Sequence, residues 1–94
     1  MKVYQSRTFE KKVKKFTAKD KLELDREIRK IIQDTSVGTE KKGDLRGIFV
    51  HKFTLRNQLY LLAYRLMPED SLELILIGPH ENYYRDLKTY LKKR

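Results

Sequence analysis

The stretch GIFVHKFTLRNQLYLLAYRLMPEDSLELILIGP, residues 47–79, decides the fold. Apolar side chains recur in it at a period of two, the spacing that sends alternate residues to opposite faces of a strand. Three strands are predicted, Ile48 to Leu55, Leu59 to Leu66 and Leu72 to Ile77. Arg56, Asn57 and Gln58 break the first from the second, and Met67, Pro68, Glu69 and Asp70 break the second from the third. Connections this short join antiparallel neighbours. In the middle strand Tyr60, Leu62, Tyr64 and Leu66 share one face, while Leu59, Leu61, Ala63 and Arg65 share the other. Both faces are mainly apolar, so this strand is expected at the centre of the sheet, covered on both sides.

Working outward, Lys2 to Gln5 reads as a short extended segment. Ser6 or Thr8 can then cap a helix whose apolar positions Phe9, Val13 and Phe16 fall at helical spacing. A second helix is expected from Thr17 or Lys19 to about Asp34, with Leu22, Leu24, Ile28, Ile31 and Ile32 inward and Lys21, Arg26, Arg29 and Lys30 outward. The two form a hairpin. The polar segment Thr35 to Asp44, with Gly38 and Gly43, ends helical periodicity. Gly78 and Pro79 stop the last strand, and a final helix runs from His80 or Glu81 to Leu91, before the basic tail Lys92-Lys93-Arg94. The expected architecture is α+β in the order βααβββα, a helical hairpin packed on a mainly antiparallel twisted sheet.

Ninety-four residues make one domain, 1–94, and leave no space for a second core. The apolar share of 39% is below the globular norm of about 45–50%, so the core is small. The absence of cysteine excludes disulfides, thiolate catalysis and cysteine-based zinc sites; neither a metal nor a cofactor is expected. No apolar run approaches the roughly 20 residues of a membrane span, and no signal peptide is recognisable, so a cytoplasmic location is expected. The net charge of +9 points to a polyanion or an acidic partner. The excess sits at the two ends, +6 in residues 1–30 and +3 in residues 80–94. Runs such as Lys11, Lys12, Lys14 and Lys15 are ordinarily solvated helix faces, and only convergence in space makes them a site.

The segments Gly43-Asp44-Leu45-Arg46-Gly47, Phe53-Thr54-Leu55-Arg56, Leu59 to Arg65 and Ile77-Gly78-Pro79-His80-Glu81-Asn82-Tyr83-Tyr84 resemble, in order and spacing, the RelE/ParE toxin superfamily. With the helical hairpin ahead of them, the resemblance covers nearly the whole chain. It implies a toxin of a bacterial type II toxin–antitoxin system, held inactive by a partly disordered antitoxin lying across its sheet and helices. Most members cleave mRNA in the ribosomal A site; others poison DNA gyrase. The resemblance therefore implies a cognate antitoxin and either mRNA with the ribosome or DNA gyrase as partners.

RNA cleavage requires removal of the 2′-hydroxyl proton, stabilisation of charge on phosphorus and protonation of the leaving oxygen. His80 is the first candidate, because an imidazole titrates near neutrality and follows the Gly78-Pro79 break; several RelE-like nucleases carry a catalytic histidine at the matching Gly-x-His position. Its alternative role is to cap the last helix. Lys52 and Arg56, four apart, are expected on one strand face as a phosphate clamp, or as charges of a solvated edge. Lys52 matches one of two paired lysines of ribosome-dependent members, while Thr54 stands in place of the second. Leu61 occupies a position where many RelE-like nucleases have arginine, which keeps a gyrase-inhibitor reading and a purely antitoxin-binding reading open; Arg46, Arg56 or Arg65 can supply the missing charge, though Arg65 can equally pair with Glu73. Tyr60, Tyr83 and Tyr84 can stack RNA bases or belong to the core. Glu81 can orient His80, serve as a proton acceptor or answer the helix dipole. The candidate catalytic set is thus His80, Arg56, Lys52, Tyr84 and Glu81, with Arg46, Lys52, Arg56, Tyr83 and Tyr60 contacting RNA. His51 is expected to be structural.

Overall fold

The computed structural model describes residues 1–93; Arg94, the end of the basic tail, lies outside them. The chain opens with strand β1 (Lys2–Gln5), and helices α1 (Arg7–Lys14) and α2 (Ala18–Gln33) follow. Ser6 caps α1 by accepting from Phe9 N–H at 3.0 Å while donating its own hydroxyl proton to Ile75 C=O at 2.6 Å, which ties the helix to the sheet. Thr17 caps α2 in the same way through Asp20 N–H. A two-residue strand β2 (Thr39–Glu40) and a 3₁₀ turn over Gly43–Leu45 lead to β3 (Phe49–Leu55), β4 (Gln58–Met67) and β5 (Ser71–Pro79), and α3 (Tyr83–Lys92) is the last element among the described residues.

The five strands form one sheet in the order β1-β5-β4-β3-β2, with β4 in the middle. β1 runs parallel to β5, and the remaining pairings are antiparallel. The sheet is therefore mixed, and β2 is a strand that the polar composition of residues 35–44 conceals. Both faces of β4 are covered. Leu62 and Tyr64 pack with Phe9, Leu24 and Ile31 of the hairpin, whereas Leu61 and Ala63 pack with Tyr83 and Leu87 of α3. Leu61, Leu62, Ile75 and Ile77 have no solvent exposure, and truncating any one of them to alanine costs about 2–5 kcal/mol. Leu22 and Ile32 turn outward, contrary to expectation, at 63% and 38% exposure, because Leu24 and Ile31 define the inner stripe of α2.

Two turns shape the end of the sheet where β5 stops. The β3–β4 turn consists of Arg56 and Asn57, both left-handed at φ 52° and 61°. This is the geometry of a tight hairpin, and a left-handed arginine costs on the order of 1 kcal/mol. Behind it, α3 begins at Tyr83 and not at His80; Asn82, left-handed at φ 58°, precedes it. His80 caps nothing. Its N–H bonds Leu59 C=O at 3.0 Å, so it extends the β4–β5 pairing by one residue. Elsewhere, the loop after α2 is pinned by Tyr64, whose hydroxyl donates to Thr35 C=O at 2.7 Å and accepts from Gly38 N–H at 2.9 Å. Only glycine fits at position 38, since a Cβ there would stand 2.7 Å from that hydroxyl.

Candidate functional site

Three cations from separate elements converge at the end of the sheet where β5 stops. Lys12 and Lys15 come from α1 and the turn after it, and Arg56 from the β3–β4 hairpin; with Phe16, Tyr60 and the Gly78-Pro79 segment they line an open groove of about 300 Å³. Lys12 leans on Gly78 closely enough that a Cβ built there would stand 3.5 Å from its Nζ. The sequence reads these lysines as a solvated helix face. The hairpin carries them to the strand ends, and only the tertiary fold shows that.

Arg56 is the best-held of the three. Its Nε lies 3.2 Å from Asp20 Oδ2 and its Nη2 donates to the Tyr60 hydroxyl at 2.9 Å. Tyr60 is 6% exposed, packed against the edge of Phe16 and beside Phe53, so its ring is a wall of the groove and not an open stacking platform. His80 follows Pro79 directly, is exposed, and makes no side-chain hydrogen bond or ion pair among the described residues. Glu81 is exposed in the turn after it and is not bonded to His80.

The remaining expected site residues lie elsewhere. Lys52 and Arg56 do not form a clamp. Lys52 pairs across from Leu61 and so shares the α3-side face with it, whereas Arg56 leaves the strand at the turn and bonds Asp20 and Tyr60 on the hairpin side. Period-two alternation does not reach Arg56, because β3 ends one residue earlier, at Leu55. Tyr83 is core: it is 2% exposed, and its hydroxyl donates to Leu76 C=O at 2.6 Å. Burial pushes that phenol well above its ordinary range, and no RNA base can reach its ring. Tyr84 is half-buried, edge-on to Tyr83 with Lys41 Nζ 5.1 Å above its ring, and takes no part in the groove. Arg46 is at the opposite end of β3, a strand length of about 20 Å away. Arg65 is paired with Glu73 at 2.8 Å. His51 is buried and bonded to Glu27 Oε1 at 2.8 Å, joining β3 to α2.

A groove of three cations and no acidic wall beside an exposed imidazole is suited to an extended polyanion. Against known families, the model of the ParE-like toxin of type II bacterial toxin–antitoxin systems matches residues 3–88. The chain belongs to the ParE-like toxin family. No curated protein matches its sequence significantly. Among solved structures, this ParE-like toxin is similar to the isolated E. coli RelE toxin, at 17% identity and TM-score 0.64 over 94% of this chain and 96% of that one. It is similar too to an E. coli RelE double mutant in the free state, at 16% identity and TM-score 0.71 over 98% and 95%. Similarity extends to the intact E. coli RelBE toxin–antitoxin complex, at 17% identity and TM-score 0.67 over 85% and 96%. At such identities the likeness is one of fold. The RelE/ParE superfamily membership read from residues 43–84 thus stands, as does the α+β class, with the mixed sheet and the extra strand as corrections. No helix among the described residues is long and apolar enough to cross a membrane.

Proposed function

We propose that this toxin arrests growth as an endoribonuclease on translated mRNA in the cytoplasm, neutralised by a cognate antitoxin of the kind seen bound to RelE in the RelBE complex. The observation that carries the proposal is the convergence of Lys12, Lys15 and Arg56 on Gly78-Pro79, one residue ahead of His80. In this reading the three cations hold consecutive phosphates, which positions the strand without reading its sequence. His80 moves the proton: it takes that of the 2′-hydroxyl as the oxygen attacks phosphorus, or returns one to the departing 5′-oxygen. Arg56 or Lys12 supplies the charge that RelE-like nucleases take from an arginine at the position of Leu61. Lys52, on the other face, remains a candidate contact to ribosomal RNA.

One observation favours a second reading, inhibition of DNA gyrase by binding. Leu61 is fully buried beneath α3, so its position presents no transition-state cation, and Arg65 on the same face of the strand is paired with Glu73. Inducing the toxin without antitoxin, while mapping new mRNA 5′ ends and an SOS reporter together, separates the two. Cleavage gives new 5′ ends within coding regions and a silent reporter. An active reporter without new ends selects gyrase.

A further inference from the structure

Asp20 is a buried carboxylate to which neither capping nor cleavage gives a task. It stands in the first turn of α2 and is 4% exposed. The cap is made by Thr17, which accepts from Asp20 N–H at 3.2 Å, and the Asp20 side chain makes no reciprocal bond. A carboxylate taken out of water requires a cation or a set of donors. Among the described residues, Arg56 is the only cation within ion-pair distance of it, at 3.2 Å from Nε to Oδ2. That contact is electrostatic, without hydrogen-bond alignment, because buried Oδ2 has no aligned donor.

The unusual part is what this leaves on the arginine. An arginine serving only to neutralise an acid turns two parallel N–H groups to the two carboxylate oxygens. Here Nε alone approaches Asp20, and Nη2 donates one hydrogen to Tyr60. Of the five N–H groups of a guanidinium, both on Nη1 and the second on Nη2 have no partner among the described residues, and the side chain is 55% exposed. Arg56 lines the cationic groove and, on its other side, the cavity that Asp20 and Glu23 border.

The geometry points to Asp20 as a positioning residue, which anchors Arg56 through Nε so that its free N–H groups meet a phosphate in the groove. This rests on the reading that the groove binds RNA. The test has a sign that charge alone cannot mimic. Asp20→Asn removes a negative charge beside a polyanion site, so an electrostatic surface without a positioned arginine binds RNA more tightly.

Affinity is measured for a fluorescein-labelled, 2′-O-methyl single-stranded RNA of about ten nucleotides, long enough for one such groove, with folding followed by circular dichroism. Asp20→Asn weakens binding about tenfold or more, the scale of one charged hydrogen bond. In an Arg56→Ala background it no longer weakens it, the non-additivity expected of two residues acting as one. Glu23→Gln, the same charge removed from the same helix, does not weaken binding. Arg56→Lys, which keeps the charge but has no Nε, loses as much affinity as Arg56→Ala, a result independent of whether Asp20→Asn folds. Equal or tighter binding by folded Asp20→Asn, or wild-type binding by Arg56→Lys, overturns the inference while leaving the groove reading in place. If Arg56→Ala and Lys12→Ala/Lys15→Ala all bind as the wild type, the groove reading itself falls and the positioning role falls with it.

Discussion

Replacing Lys12 and Lys15 together by alanine removes two of the three groove cations while leaving the buried face of α1, centred on Phe9, untouched. On single-stranded nucleic acid each neutralised phosphate contributes about 0.7 to the slope of log affinity against log salt. With one phosphate for each of Lys12, Lys15 and Arg56, the groove accounts for a slope of about 2.1. A rise from about 50 to about 200 mM salt then weakens binding about 18-fold through these contacts. The double variant retains Arg56 alone. Its slope falls by about 1.4, and the groove's share of the salt effect shrinks to about 2.6-fold. The assay is fluorescence anisotropy of a single-stranded RNA across a salt series. The control is Lys88→Ala/Lys92→Ala, which removes the same formal charge from α3, where those lysines border a separate small cavity with Asp44 and Leu91. Equal loss of slope in the two double variants would refute a localised phosphate site and return the basic residues to the status of a diffuse surface.

Tyr64→Phe strips two partners from the loop after α2, leaving Gly38 N–H and Thr35 C=O without the hydroxyl. It is expected to cost about 1–3 kcal/mol and to lower Tm by at least about 4 °C in calorimetry; an unchanged Tm refutes the pinning role. Burial raises the Glu27 carboxyl, but hydrogen bonds from His51 and Lys30 outweigh it, so the group sits below the ordinary 4.5. A lowered folded value gives stability that is complete above the unfolded value and is lost as pH falls through the folded one. The urea midpoint of the wild type should therefore approach that of Glu27→Gln as pH drops below about 4.5. A gap between the two that stays constant down to pH of about 3 removes the pair from acid sensitivity.

Much of the scaffold is legible because burial imposes a period on sequence. Tyr60, Leu62 and Tyr64 against Leu61 and Ala63 mark a strand covered on both sides, and β4 is the central strand of five. Phe9, Leu24 and Ile31 likewise announce the inner face of the hairpin. The failures are those of tertiary context. β2 is too short and polar to leave a periodic trace, and the bulge that breaks the β4–β5 register after Ala63 sends Ile75 and Leu76 to the same core. Arg56 opens the predicted break yet is also expected on the strand face four residues after Lys52, because its left-handed φ has no sequence signature outside glycine and asparagine. Lys12 and Lys15 carry no sign of where α1 will lie, so half of the groove is invisible in the sequence, and Tyr83 shows the same helical spacing whether it binds RNA or, as it does, joins the core. The one usable signal for Asp20 is an acid three residues after a helix-capping threonine, which a capping box explains equally well.

The measurement that bears most directly on RNA cleavage by this toxin is single-turnover cutting of mRNA on programmed ribosomes at saturating ribosome concentration, comparing wild type with His80→Ala. The His80 side chain is exposed and makes no hydrogen bond or ion pair among the described residues, so its removal is expected to leave the fold intact. Loss of one acid or base function slows the chemical step by about 10²–10⁴-fold. A loss in that range is expected, with RNA affinity and its salt slope unchanged. Cleavage by His80→Ala at the wild-type rate would contradict the assignment, because no other imidazole stands beside the groove to carry the proton.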